Sequence, residues 1–260
     1  MAWNRRNFLG SFACFGLSLA TGRALAVTSC KPEEQPCWGY HGDEGPDHWG
    51  RLHPDWVACA EGSEQSPIAL AGEEVKPTAE RFALHYQPTT ARLSDNVHTV
   101  RIDMEPGSQL LLGDRTFSLR QFHFHTPSEH LWSDTADLGE LHLVHVADSR
   151  EIAVLGVALR PDAAQAFPDS FWNWLQAAEA GESLTLDPAG LVPRQGRLVG
   201  YRGSFTTPPC TEGVNWLLAM EPMAMGPEEQ RWLEQRMGRN ARPVQPLGSR
   251  TVHTVLREGS

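Results

Sequence analysis

Two short runs carry the residues best able to do chemistry: Gln121-Phe122-His123-Phe124-His125 and Glu140-Leu141-His142-Leu143-Val144-His145. Apolar and polar residues alternate through both, and neither run contains Gly or Pro, so both are expected to be β-strands. Strand side chains point alternately to opposite faces, which puts His123 and His125 on one face with Cα atoms roughly 6–7 Å apart. His142, from a neighbouring strand, can bring a third imidazole to the same point. Three neutral imidazoles that leave a fourth position open describe a catalytic zinc site, whereas structural zinc sites are usually closed by four ligands, often thiolates. Metal-bound imidazoles usually donate their second N–H to a carboxylate or carbonyl, and Gln121 and Glu140 stand two residues before His123 and His142 to receive it. The same alternation turns Phe122 and Phe124 into a core. It groups His145 with Leu141 and Leu143, so His145 reads as a buried, hydrogen-bonded core residue.

These strands need a scaffold, and the chain is long enough to build one. Its 260 residues, with 8% aromatics and nine Trp, suit a packed globular domain. The formal charge is −10, and the first 26 residues carry three Arg and no acid, so the remainder is more acidic still. That charge argues against nucleic acid or an anionic membrane as partner and suits a small substrate. Asn4-Arg5-Arg6-Asn7-Phe8-Leu9, a short apolar stretch to Ala20 and Ala24-Leu25-Ala26 read as a signal peptide over 1–26, compatible with the twin-arginine route. The expected location is periplasmic or secreted. Cys30, Cys37, Cys59 and Cys210 remain after cleavage, an even number that suggests disulfides with three possible pairings. No Cys-x-x-Cys pair points to thiolate zinc instead.

Residues 27–37 read as an N-terminal arm, and no repeat or linker divides residues 38–260, which are expected to form one domain. Short alternating stretches dominate: 81–86, 97–104, 109–112, 116–125, 140–147, 151–159, 197–201, 213–220 and 251–256, with turn signals such as Glu105-Pro106-Gly107 between them. Helices are expected from Pro168 to Ala180 and from Pro227 to Met237. The sum is a β-rich α+β domain with short peripheral helices.

One more stretch, Phe205-Thr206-Thr207-Pro208-Pro209-Cys210, cannot be a central strand because its prolines remove ladder donors. It reads as a rigid loop presenting two hydroxyls. Together with Gln65-Ser66-Pro67-Ile68, His125-Thr126-Pro127-Ser128-Glu129-His130, Asn240 with Arg242-Pro243-Val244-Gln245-Pro246, and Trp38-Gly39-Tyr40 followed by His48-Trp49, these pieces resemble the α-class carbonic anhydrases, specifically the exported bacterial members. The resemblance runs from about Trp38 to Arg250, with order and spacing matching.

The resemblance implies a large twisted, mostly antiparallel sheet and a lyase, carbonate dehydratase, that hydrates carbon dioxide to bicarbonate and a proton by attack of zinc-bound hydroxide. In that reading Zn2+ is held by His123, His125 and His142. Gln121, Glu140 and the carbonyl of Asn240 back these ligands. Thr206 is the gatekeeping hydroxyl that donates to Glu129, and Thr207 lines the substrate side. Val144, Val154, Phe205, Val214 and Trp216 form the apolar wall where carbon dioxide rests, Phe205 standing where the family usually has Leu. His98 falls at the proton-shuttle position, with Tyr40, Asn96, Arg101 and Gln121 as a polar wall. Val97 replaces the commoner Gly before that His, which would restrict its swing, and the charge of Arg101 would depress the shuttle pKa. Cys59 and Cys210 match the family disulfide, and Cys30 and Cys37 would pair with each other. A monomer or homodimer is expected, with no nucleic acid partner and no membrane span left after signal removal.

Two other readings compete. His123-x-His125-x-x-x-Glu129 also fits the first metal motif of cupin oxygenases, with Glu129 as a ligand to iron or manganese. The second cupin motif is incomplete here, and the Thr-Thr-Pro-Pro and Gln-Ser-Pro-Ile pieces would have no role. A non-catalytic binding member of the anhydrase family typically lacks a ligand histidine, and this chain keeps all three.

Overall fold

The computed structural model describes residues 37–96, 98–179 and 183–258. The expected signal peptide, Cys30, most of the arm and Val97 lie outside the described residues. The first strands are β1 (Val75–Lys76), β2 (Arg81–His85), β3 (Thr89–Asn96), β4 (Thr99–Met104) and β5 (Gln109–Leu112). The long β6 (Arg115–His125), β7 (Gly139–Val146) and β8 (Ile152–Arg160) follow. Then come β9 (Gln165–Ala166), β10 (Leu184–Leu186), β11 (Leu198–Ser204), β12 (Glu212–Ala219), β13 (Met223–Ala224) and β14 (Val252–Arg257). The helices are α1 (Trp49–Leu52), α2 (Ala58–Glu61), α3 (Asp169–Ala178) and α4 (Pro227–Met237). All fourteen strands join one sheet. Nine pairings among the described residues are antiparallel and five parallel, so the sheet is mixed but mostly antiparallel.

Expected and observed strands agree within a residue or two at most ends. Unanticipated are β1, β9, β10 and β13, each two or three residues long, and the longer β3, whose sequence Thr-Thr-Ala-Arg-Leu-Ser-Asp-Asn is too polar to announce a strand. It forms because β4 supplies a complete register, from Ala91 opposite Met104 to Asn96 opposite Thr99. α1 and α2, four residues each, are too short to show a helical period.

Period-two patterning sorts the long strands into two cores. Leu141 and Leu143 of β7, Ala153, Leu155, Val157 and Leu159 of β8, and Leu217 and Ala219 of β12 bury into one cluster. The aromatic face of α3 (Phe171, Trp172, Trp174) and Leu233 of α4 cover that cluster. The intervening residues Val144, Val154, Val214, Trp216 and Leu218 bury on the other face, against Ile68, Tyr201 and Val252. Glu140 and His142 share that second face by the same alternation.

β6 meets this arrangement through an irregularity. Leu119 is opposite His145 whereas Gln121 is opposite Val144, so the exposed Arg120 is one residue too many for its partner strand. Phe117 and Leu119 before it, and Phe122 and Phe124 after it, all enter the first core. Strict alternation would have put the two pairs on opposite faces, and the extra residue resets the parity. Gln121, His123 and His125 thereby emerge on the face of Glu140 and His142.

His145 lies on the first face, fully buried, with Nε2 2.8 Å from the Tyr86 hydroxyl. Burial lowers its pKa to about 4. A depressed imidazole pKa means the unfolded chain binds the proton first as pH falls. Stability from this residue is therefore whole above about pH 6.5 and is lost between about 6.5 and 4, amounting to about 3 kcal/mol. His145→Gln should flatten the fall of unfolding free energy across that window, as read from denaturant titrations at several pH values.

Candidate metal centre

The register of β6 and β7 sets the site directly: His123 is opposite His142, and His125 is opposite Glu140. One ring nitrogen from each of His123, His125 and His142 lies within 4.8 Å of the others. The remaining ring nitrogens are all engaged. His123 Nδ1 is 2.8 Å from Gln121 Oε1, His125 Nδ1 is 2.8 Å from the Asn240 carbonyl, and His142 Nε2 is 2.7 Å from Glu140 Oε1. Each partner accepts, so each of these nitrogens carries the proton and the lone pairs converge from Nε2, Nε2 and Nδ1. Burial, then the neighbouring His125 and His142, hold the His123 pKa well below its ordinary value, and burial lowers that of His125. Neutral imidazoles are what a metal requires. His125 Nε2 is buried and has no hydrogen-bond partner among the described residues. An unsatisfied buried nitrogen aimed at two other lone pairs fits a cation such as zinc.

Glu140 seats His142. Its Oε2 accepts the backbone N–H groups of Glu129 and His130 at 2.9 and 2.8 Å, and its Oε1 contacts His142 and His130, each at 2.7 Å. Burial alone would raise its pKa, but the electropositive N–H edges of His130 and His142 and the hydrogen bonds they donate hold it well below the usual carboxylate range. Gly156, opposite His142 on β8, makes the room: a Cβ there would come within 3.0 Å of Glu140 Oε1 and 2.7 Å of Leu218 Cδ2. His130, Glu140 and His142 also cluster as potential ligands. Their facing atoms are spent on one another and on Tyr201, so this second group is a hydrogen-bond network.

Asn240 is a fully buried clamp. Its carbonyl receives His125, its Oδ1 accepts Thr126 N–H at 2.8 Å, and its Nδ2 donates to the carbonyls of His98 and Phe124 at 2.9 and 3.1 Å. Glu129 is buried, with Oε1 accepting Arg242 N–H at 2.9 Å. Its Oε2 sits 3.5 Å from His125 Nε2 and has no hydrogen-bond partner among the described residues. The hydrogen bond expected from Thr206 to Glu129 is therefore not formed, although both residues are buried in this region.

The apolar residues named from the sequence do meet: Val144, Val154, Val214 and Trp216 bury in one cluster, with Phe205 packed against it. The Thr206–Thr207 loop is tied at one end, where Cys210 forms a disulfide with Cys59 of α2, 151 residues away. His98 stacks on Trp38, ring centroids 3.7 Å apart, with Tyr40 edge-on at 6.5 Å. Burial lowers the His98 pKa. Arg101 was expected to do so and does not: its guanidinium is paired with Asp103 at 2.6 Å, and its field falls on His123 instead.

The sequence matches the family model for eukaryotic-type carbonic anhydrase over residues 44–256. This chain belongs to the α-class carbonic anhydrase family. A carbonic anhydrase from Nostoc sp. is 37% identical over 242 residues, covering 90% of this chain and 92% of that protein. The solved α-carbonic anhydrase from Thermovibrio ammonificans, in complex with the inhibitor sulfanilamide, superposes with a TM-score of 0.76 at 34% identity, covering 84% of this chain and 99% of that one. A dioscorin from Dioscorea japonica is 32% identical over 259 residues, covering 94% of this chain and 95% of that protein. Relatives of this α-carbonic anhydrase thus carry more than one name, and the ligand set is what has to assign its chemistry.

Sequence reasoning gave no role to Tyr201, Ser66 or the side chain of Arg242. Arg242 is almost fully buried and donates to Gln65 Oε1, the Ser66 carbonyl and the Cys59 carbonyl at 2.7–2.9 Å. Each of those contacts spans more than 170 residues, so no local period could reveal them. Reducing the Cys59–Cys210 link, or replacing both residues by Ala, should cost about 3–5 kcal/mol of stability for a closed loop of this length. Chemical denaturation with and without reductant measures it.

Proposed function

We propose that this chain is a zinc-dependent carbonic anhydrase that reversibly hydrates carbon dioxide to bicarbonate and a proton. The observation that carries the reading is the convergence of three imidazoles whose outward nitrogens are all bonded, leaving a buried His125 Nε2 with no protein partner among the described residues. A zinc ion held there would supply Lewis acidity strong enough to yield a hydroxide nucleophile at neutral pH.

His123, His125 and His142 would hold the ion as neutral ligands, which leaves its charge undiminished for that task. With the ion bound, Thr206 Oγ1 would accept a hydrogen bond from the nucleophile and would have to turn its own proton to Glu129 Oε2, the buried acceptor that still wants a donor. With that proton committed, Thr206 can only accept, and the nucleophile's lone pair is directed at carbon dioxide. Val144, Val154, Phe205, Val214 and Trp216 keep water from the side where an apolar gas must sit, and Thr207 borders it. His98 takes the released proton outward from its seat on Trp38. Because burial lowers its pKa, its ring is neutral and able to accept at neutral pH, and this capacity is lost as pH falls through that lowered value.

His123→Ala and His142→Ala should each lower zinc affinity by more than about 100-fold, since even supporting groups behind a ligand are worth 10–100-fold. Metal analysis after dialysis against a chelator, with stopped-flow hydration assays, tests this. Stoichiometric iron in the native protein, or background hydration at full zinc loading, would refute the proposal. His98→Ala should lower kcat about 10-fold or more while leaving kcat/KM nearly unchanged, with imidazole buffer restoring the rate. Unchanged kcat would remove His98 from the proton path.

A further inference from the structure

We propose that Tyr201, anchored by Ser66, is a positioning residue: it fixes the tautomer of His130, which keeps Glu140 a full carboxylate acceptor for His142 and so holds His142 with Nδ1 toward the metal. The inference rests on the zinc reading above.

Glu140 Oε1 is shared. His142 Nε2 and His130 Nδ1 both lie 2.7 Å from it, so both must present an N–H. If His130 were protonated at Nε2 instead, its Nδ1 lone pair would face Oε1. The Nδ1 and Oε1 lone pairs would then repel and the contact would open, freeing the Glu140 carboxylate to shift away from His142. The state of His130 thus decides how firmly His142 is held.

The hydrogen-bond chain beyond His130 runs in one direction only. Ser204 N–H must donate, and it points at Ser66 Oγ, 3.1 Å away. The one acceptor within reach of the Ser66 hydroxyl proton among the described residues is Tyr201 Oη at 2.7 Å. The Tyr201 proton is thereby sent to its other neighbour, His130 Nε2, at 2.7 Å. His130 accepts there and must carry its own proton on Nδ1, facing Glu140. Ser66, Ser204, His130 and Glu140 are fully buried and Tyr201 is 2% exposed, so no solvent can substitute for a link. Burial also holds the Tyr201 phenol well above its ordinary pKa, keeping it a donor. The backbone has been shaped around the chain: a Cβ on Gly203 would fall 2.2 Å from Ser66 Oγ. Ser66 N–H returns a bond to Ser204 Oγ at 3.0 Å, which locks the anchor at both ends.

The molecule contains its own control. Tyr86 meets His145 Nε2 at 2.8 Å, the same kind of tyrosine–imidazole contact, on the face away from the metal ligands. Zinc-loaded wild type, Tyr201→Phe, Ser66→Ala and Tyr86→Phe should be mixed with excess chelator and the rate of zinc transfer followed, beside thermal melts. Tyr201→Phe and Ser66→Ala should speed zinc loss about 10-fold, the low end for groups behind a ligand. Tyr86→Phe should stay within about twofold of wild type on the same scale. Equal acceleration by Tyr86→Phe, or none by Tyr201→Phe, overturns the proposal. Should the variants not fold, long-range 15N–1H NMR on the wild type decides: His130 must show a protonated Nδ1 and a bare Nε2, and a protonated Nε2 overturns it. A wild type that never holds zinc would refute the zinc reading, whereas the NMR result bears on the tautomer alone.

Discussion

One carboxylate organises this molecule. Glu140 is buried without a counter-ion of fixed charge, and it persists as an anion because two backbone N–H groups and two imidazoles surround it. Removing a charge from water costs several kcal/mol unless every lone pair is met, so the loop after β6 and the strand β7 have no freedom to drift apart. His142, the turn at Glu129–His130 and the packing of Gly156 are consequences of satisfying that one group. The site is rigid because its support is fully subscribed.

The two strands that carry the imidazoles were readable in the sequence because their chemistry and their period coincide. Phe122, Phe124, Leu141 and Leu143 advertise one face, and the histidines fall on the other. Gln121 and Glu140 were readable for the same local reason, standing two residues from the rings they support. Asn240, Thr206 and Glu129 had no such local signal and entered only through resemblance to a family, since contacts across 113–115 residues leave no trace in a window of ten.

What stayed hidden was hidden by distance or by polarity. Tyr201 and Ser66 look like an ordinary strand tyrosine and a loop serine until the fold sets them 2.7 Å apart. β3 looks like a loop because its side chains are polar, and it becomes a strand only through the ladder that β4 offers. The misjudgement of Arg101 has a related root: its charge was assigned to His98 because the residue falls in the polar wall that the resemblance implies, while Asp103, two residues on, claims the guanidinium.

The extra residue at Arg120 has a consequence for how this lineage can vary. Its side chain is exposed and touches none of the ligands, yet it sets the phase of everything after it in β6. Deleting that codon would join Leu119 to Gln121 in plain alternation opposite His145 and Val144, so Phe117, Leu119, Phe122 and Phe124 would keep the core face and the histidines the cleft. What the site cannot survive is the same sequence drawn out flat: with Arg120 kept and the irregularity lost, Gln121, His123 and His125 would turn to the core and Phe122 and Phe124 to the cleft.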